Sequence, residues 1–284
     1  IIDIRRDIHA HPELSGNEYR TADIVKRELN KLGIPYTDWP DYPGVVGLIK
    51  GAYDGPVIAL RADMDALPIH ETRTELPFVS KNEGIMHACG HDVHTAVLLG
   101  AAAVLKKLAP SLHGSVKLIF QPSEEGTPPG ARCMIARGCM EDPHADRVFA
   151  LHVDPALKCG KVSCMAGIIN AASDNYRFTV KGVSSHGTKP QDGVDAIYAA
   201  CQMINALYSI PVRRVSALES VSLNVGTISG GTADNIIAEN AKFGLCLRTV
   251  DDRVREFMLA EIPRVVNAAA TLYNVEIDTN YWPG

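Results

Sequence analysis

The chain has 284 residues, 46% of them hydrophobic, and a formal net charge of −5. That is apolar material for a full core and predicts two domains, while the acidic balance and the lack of a basic run exclude a nucleic-acid partner. The seven cysteines are odd in number and scattered, as free thiols of a reducing compartment are. No signal peptide and no apolar stretch of membrane-span length is read, so a cytoplasmic location away from membranes is expected. Ile1 opens within a helical pattern, so residues before it are expected to be missing.

Ile4 to Leu32 carry a helical period, with Ile24, Val25, Leu29 and Leu32 on one face and Gly33 as the stop. His11-Pro12 splits this stretch into two helices, because proline disfavours helix at the residue before it. Val45–Lys50 and Val57–Arg61 read as strands, the second running into Ala62-Asp63-Met64-Asp65. His94–Leu108 reads as a helix, Ser115–Phe120 as a strand, Gly130 to Arg137 as a helix and Arg147–Val153 as a strand. This alternation predicts an α/β domain, a mainly parallel sheet with helices on both faces, with ligands at the carboxyl ends of its strands.

Beyond Asn170 the pattern changes. Asn175–Lys181, Val221–Ile228, Ile236–Leu247 and Val275–Thr279 read as strands, and Asp192–Tyr208 and Asp251–Leu272 as helices. Their β-α-β-β-α-β order is the split-βαβ, ferredoxin-like plan. The predicted division is a catalytic domain over 1–168, an inserted ferredoxin-like α+β domain over 169–278, and the start of a return to the first domain over 279–284.

The chemistry is concentrated in His87-Ala-Cys-Gly-His-Asp-Val-His94, just ahead of an Ala/Leu-rich helix. The Cys89 thiolate and His91 imidazole, two residues apart, can grip one borderline-soft divalent cation. Glu124-Glu125 and His152 each close an apolar strand-like run downstream, and ligands arriving at successive strand ends point to a metal-dependent hydrolase. Other readings stand beside this one: Cys89 as a buried apolar residue, Cys89 as a nucleophile served by His94, Glu124-Glu125 as a solvated pair, and His152 as an ordinary strand histidine. His87 and His94 read as supporting groups. Asp65 and Asp92 read as carboxylates that orient ligand imidazoles through the second ring nitrogen. His9, His11, His70, His113 and His144 read as surface or capping residues, and Cys159 and Cys164 as structural. Gly230-Gly231-Thr232 through Asn235 is either a plain hairpin turn or a turn whose N–H groups and Asn235 amide hold a substrate carboxylate. Arg248, ending a strand, is a second candidate for that carboxylate.

Five stretches carry a family resemblance: Arg5-Arg-Asp-Ile-His-Ala-His-Pro-Glu-Leu-Ser15, Leu60-Arg-Ala-Asp-Met-Asp-Ala-Leu-Pro68, His87-Ala-Cys-Gly-His-Asp92, Phe120-Gln-Pro-Ser-Glu-Glu-Gly126 and Ser229-Gly-Gly-Thr-Ala-Asp-Asn235. In this order they resemble the aminoacylase and carboxypeptidase G-like metallohydrolases, in their amidohydrolase branch of hippurate hydrolases, indoleacetyl-amino-acid hydrolases and N-acetyldiaminopimelate deacetylases. The resemblance implies a site for two divalent ions (Zn, Mn, Co or Ni), with Cys89 bridging, His91, Glu125 and His152 as terminal ligands, and Glu124 as the base. It implies an N-acyl amino acid as substrate and a ferredoxin-like lid in which His186 polarises the scissile carbonyl or holds substrate; the oligomeric state is left open, and the helices Asp192–Tyr208 and Asp251–Leu272 could pair two copies into a homodimer through the lid. Asp63 stands where another branch carries a histidine ligand. A further histidine ligand is expected after the lid, and none follows His186; a chain cut short near Gly284 is the expected reason, a degenerate binding relative the other. The remaining alternative is a di- or carboxypeptidase of the same superfamily, whose members resemble this site with aspartate at the bridging position. The lid run Ser185-His186-Gly187 and the Thr127-Pro128-Pro129-Gly130 run depart from the family pattern and bear on substrate choice.

Overall fold

The computed structural model describes residues 1–73 and 75–283, which form two compact units, Ile1–Val162 and Ser163–Gly284. The first contains α1 (Ile2–Ala10), α2 (Tyr19–Lys31), β1 (Tyr36–Trp39), β2 (Tyr42–Lys50), β3 (Tyr53–Asp63), α3 (His91–Leu108), β4 (His113–Gln121), α4 (Gly130–Ala136) and β5 (Arg147–Ala150). Its sheet has the order β1-β2-β4-β3-β5. Alternation along the strands splits the core in two. Val45, Ile49, Leu118 and Phe120 face Leu29, Leu98 and Leu99 of α2 and α3, while Val46, Ala59 and Ile119 face Met134 of α4. Helices therefore cover both faces.

The sheet is mixed rather than mainly parallel. β3 runs parallel to β4 and β5, but β2 runs antiparallel to β4, and β1 antiparallel to β2. An apolar strand pattern carries no direction. The direction of β2 follows from the tight β1–β2 hairpin, in which Trp39 pairs with Tyr42, and a two-residue connection can join only antiparallel strands. The three parallel strands end nearly level, Asp63 opposite Gln121 and Arg61 opposite Ala150. Whatever follows those ends is thus brought to one edge. The segment His91–Ser111 also has the length and mean hydropathy, 1.3, of a membrane span, contrary to the sequence expectation. Its Leu98, Leu99 and Ala102 lie in the core against the sheet.

The second unit contains β6 (Ala172–Lys181), β7 (Ser185–His186), α5 (Ala196–Arg214), β8 (Val221–Gly230), β9 (Ile236–Ile237), β10 (Asn240–Thr249), α6 (Asp252–Tyr273) and β11 (Glu276–Pro283). Its four long strands form an antiparallel sheet in the order β11-β6-β10-β8, the ferredoxin-like arrangement. Phe178, Phe243 and Leu247 of the sheet pack on Met203, Leu207, Ile262 and Val266 of the two helices. Asp195 caps α5 by accepting from the Tyr198 N–H, and Asp251 caps α6 through Arg253 and Val254. The Asp195 cap is why α5 starts later than its apolar pattern suggests. The stretch read as one strand over Ile236–Leu247 is broken into β9 and β10, because the carbonyls of Ala238 and Glu239 accept from Ala196 and Gly182 instead of a sheet neighbour.

Residues 279–283 do not begin a return to the first unit: β11 stays paired with β6 from Glu276 to Pro283. The buried Asp174 carboxylate helps hold that strand, accepting from Tyr281 Oη at 2.8 Å and from Arg255 Nε and Nη2 at 2.7 and 2.8 Å. Arg255→Leu is expected to cost about 3 kcal/mol, because it strands a buried charge. The measurement is a lower urea midpoint with an unchanged slope; a midpoint equal to wild type would show that Tyr281 alone satisfies Asp174.

Candidate metal centre

The candidate ligands gather at the level ends of β3, β4 and β5, all within the first unit. Asp63 ends β3 and Asp65 lies just beyond it, Glu124 and Glu125 follow β4, and His152 follows β5. The fourth contribution comes from the start of α3, where Cys89 and His91 flank Gly90. Gly90 has φ 87°, and a Cβ there would lie 2.5 Å from Val153 Cγ2. Only glycine lets the chain turn from Cys89 into the helix while passing this close to the β5 segment.

Cys89 Sγ lies 3.4 Å from His152 Nε2. Donor atoms of Cys89, His91 and His152 fall within 4.8 Å of one another, as do those of His91, Glu124 and Glu125. His91 belongs to both groups. Its Nδ1 donates to Asp65 Oδ1 at 3.1 Å, and its Nε2 is buried with no hydrogen-bond partner among the described residues. A buried acceptor nitrogen without a partner is costly unless something of positive charge meets it. His152 is set the same way: its Nδ1 donates to the Val153 carbonyl at 2.7 Å, which leaves the Nε2 lone pair toward Cys89. One thiol, two imidazoles in the correct tautomer and two carboxylates fit a borderline divalent cation.

The electrostatics agree. Burial pushes the Cys89 thiol up to about 12, helped by its hydrogen bond to Glu125 and the charges of Glu125, Glu124 and Asp63. Such a thiol is protonated at neutral pH and is no nucleophile, whereas a bound cation deprotonates a coordinating thiol outright. The rival role served by His94 fails on geometry as well. His94 Nδ1 donates to Asp63 at 2.6 Å, and its Nε2 accepts from the Val153 N–H at 3.0 Å. Both nitrogens are used, and they steady the backbone beside His152. Burial pushes Glu124 above the ordinary glutamate range, and neighbouring Glu125 adds to the rise. For Asp65 burial acts upward, but hydrogen bonds from His91, Ser15 and the Glu125 N–H outweigh it and hold the carboxyl at about 2.

Asp65 thus meets the His91 ring, whereas Asp92 meets His9. Asp92 Oδ2 accepts from His9 Nδ1 at 2.8 Å and pairs with Arg5 at 2.7 Å. One residue beyond His91 on a helix, it is rotated by about 100° and faces α1 instead of the ligands. His9 is likewise no surface residue. It is buried and bridges Asp92 and Glu71 through its two nitrogens, and the Asp92 hydrogen bond leads in raising its pKa. His87 is buried with neither ring nitrogen bonded among the described residues, and burial pulls it down to about 4. Two groups that the sequence left without a role also touch the site: Ser15, whose hydroxyl donates to Asp65 Oδ2 at 2.7 Å, and Glu18, which accepts from the Ser123 N–H at 2.7 Å.

In the second unit, His186 is exposed on β7, and its Nδ1 accepts the Thr188 N–H at 3.3 Å. The same Nδ1 lies 2.8 Å from Thr188 Oγ1, which can donate to it or accept from it. Next to it, the Asn235 carbonyl accepts from the Gly187 N–H at 2.8 Å, so His186 and the Gly231–Asn235 turn form one cluster. Gly231, at φ 75°, begins that turn, its N–H donating to the Asn240 carbonyl at the start of β10. Arg248 lies eight residues along β10, roughly 26 Å away at strand rise. It therefore cannot share one carboxylate with Gly231 and Asn235 of the same chain.

The model of peptidase family M20/M25/M40 matches residues 59–279. The chain is 39% identical over 283 residues to thermostable carboxypeptidase 1 of Saccharolobus solfataricus, covering 99% of this chain and 71% of that protein. It is 38% identical over 284 residues to N-acetylcysteine deacetylase of Bacillus subtilis, covering 100% and 74%. Among solved structures, the Bacillus subtilis YXEP protein, described as a dinuclear metal binding peptidase from the M20 family, superposes with a TM-score of 0.80 at 36% identity over 99% of this chain and 72% of that one. With a cation-fitting donor set at its strand ends and matches of this extent, the chain belongs to peptidase family M20/M25/M40 and is a metal-dependent hydrolase.

Proposed function

We propose that the chain hydrolyses N-acyl amino acids to a carboxylic acid and a free amino acid. The observation that carries this is the thiol of Cys89 between His152 and His91, the feature that marks the amidohydrolase branch in the sequence. The similarity to an N-acetylcysteine deacetylase supports it. Cys89, His91, Glu125 and His152 would hold two divalent ions of zinc, manganese, cobalt or nickel, which would supply a water acidified to a pKa of ~7 and a Lewis acid for the scissile carbonyl.

Glu124 takes the proton of the attacking water and delivers it to the leaving amine nitrogen, which departs as the free amino group. His186 donates a ring N–H to the carbonyl oxygen as negative charge builds there. The Gly231 to Asn235 turn binds the substrate carboxylate. The ferredoxin-like unit serves as a lid that excludes water and as the surface of a homodimer. A carboxypeptidase is the second reading, favoured by the 39% identity to a protein of that name.

The test is amino-acid release from N-acetyl, N-benzoyl and N-indoleacetyl amino acids and from N-blocked dipeptides. Activity is expected to vanish with a chelator and to return with Mn²⁺ or Zn²⁺, the acyl amino acids turning over faster. Faster dipeptide cleavage would establish the carboxypeptidase, and turnover untouched by chelation would remove the metal from the mechanism.

A further inference from the structure

Glu18 stands at the N-cap of α2, yet its side chain makes no capping hydrogen bond. Glu13 does that work, its carboxylate accepting from the N–H groups of Arg20 and Thr21 at 2.9 and 2.8 Å and from the Thr21 hydroxyl. Glu18 is instead fully buried, and its Oε1 reaches across the chain to the Ser123 N–H at 2.7 Å. Its Oε2 has no hydrogen-bond partner among the described residues. Such a group costs about 1–3 kcal/mol, and for packing alone an apolar side chain of that volume would serve as well.

What Glu18 holds is a strained turn. Ser123 has φ 56°, a left-handed conformation that costs a non-glycine residue roughly 1–2 kcal/mol and persists only where its surroundings impose it. Two residues on, the Glu125 N–H donates to Asp65 Oδ2 at 2.9 Å, the same oxygen that accepts from Ser15. A side chain at Gly126 would collide with Ser123 and Ser15, so the turn is seated directly on the α1–α2 segment. The amides before and after Glu124 are thus both pinned by buried carboxyls. Burial pushes Glu18 up to about 7, against the pull of the Ser123, Glu18 and Gly16 N–H groups, and in either protonation state Oε1 accepts from Ser123.

We propose that Glu18 is a positioning residue which, together with Asp65, clamps the backbone on both sides of Glu124 and so aims the Glu124 carboxylate. This rests on the role given to Glu124 above. The test compares Glu18→Met, which keeps the volume and removes the acceptor, with Glu18→Gln, which keeps the acceptor, in the full metal-loaded chain. Three readouts are taken: bound metal, kcat and KM on N-acetyl-L-cysteine, and amide exchange at residues 123–125. Glu18→Met is expected to lower kcat by roughly 10²-fold, the usual effect of an ångström-scale misplacement, with KM and metal content kept. Exchange at Ser123 should rise at least about tenfold, and Glu18→Gln should restore both. A Glu18→Met chain with wild-type kcat and exchange overturns the proposal, as does a Glu18→Gln chain that falls equally far, or a Glu18→Met chain that fails to fold while Glu18→Gln folds. A wild-type chain inactive on every substrate would sink the hydrolytic reading instead, and the exchange comparison would still decide whether Glu18 holds the turn.

Discussion

Glu124→Gln is expected to lower kcat by ~10²–10⁴-fold, the range for losing a positioned general acid–base group, with KM and bound metal unchanged. The amide keeps the size of the side chain but can neither take a proton from water nor return one to the amine. Metal content should hold because Glu125, not Glu124, is the proposed ligand, and because the backbone N–H of Glu125 remains fixed on Asp65. Burial and the neighbouring Glu125 charge push Glu124 upward, which makes it a stronger base while it remains ionised. Glu124→Gln should flatten the low-pH limb of kcat/KM, which reports the base of the free enzyme. The converse pattern, metal lost and the residual rate recovered by excess metal, would exchange the roles of the two glutamates.

The donor types and their order along the chain were legible, because metal ligation needs particular side chains and strand ends deliver them. Their spacing in three dimensions was not. The short edge strand β1 is half exposed and carries no apolar run to read, so the hairpin that turns β2 antiparallel was invisible. Arg248 and Asn235 are both candidates by side-chain type alone, and only the β10 register shows that Arg248 lies at the far end of the strand from Asn240. Asp92 could have been placed from helix geometry, since residues 91 and 92 cannot face one point. Glu18 and His9 could not, because their partners lie 105 and 83 residues away. The motif ending at Ser15 carried part of that signal without saying what it touched.

Asp65→Asn should be the most damaging substitution among the residues that do not themselves meet the metal, lowering metal affinity by about 10–100-fold. One oxygen of Asp65 accepts from His91, and the other accepts from both Ser15 and the Glu125 N–H. An asparagine offers one acceptor and one donor. If its amino group faces His91, Nδ1 must become the acceptor and the ring proton moves to Nε2, where the lone pair for the cation is needed. If its amino group faces Glu125, two donors meet and the glutamate turn is released. Competition against a chelating dye in metal buffers measures the loss directly. Stability gives an independent reading. With a folded value near 2 against an ordinary ~3.9, the Asp65 carboxylate contributes stability that is fully present above pH ~4 and is lost as pH falls through 2. Metal-free Asp65→Asn should accordingly be less stable than wild type at neutral pH, and the gap should close in strong acid. A gap constant with pH would mean that Asp65 is held by shape and not by charge, and metal affinity equal to wild type would show that His91 is oriented by something other than Asp65.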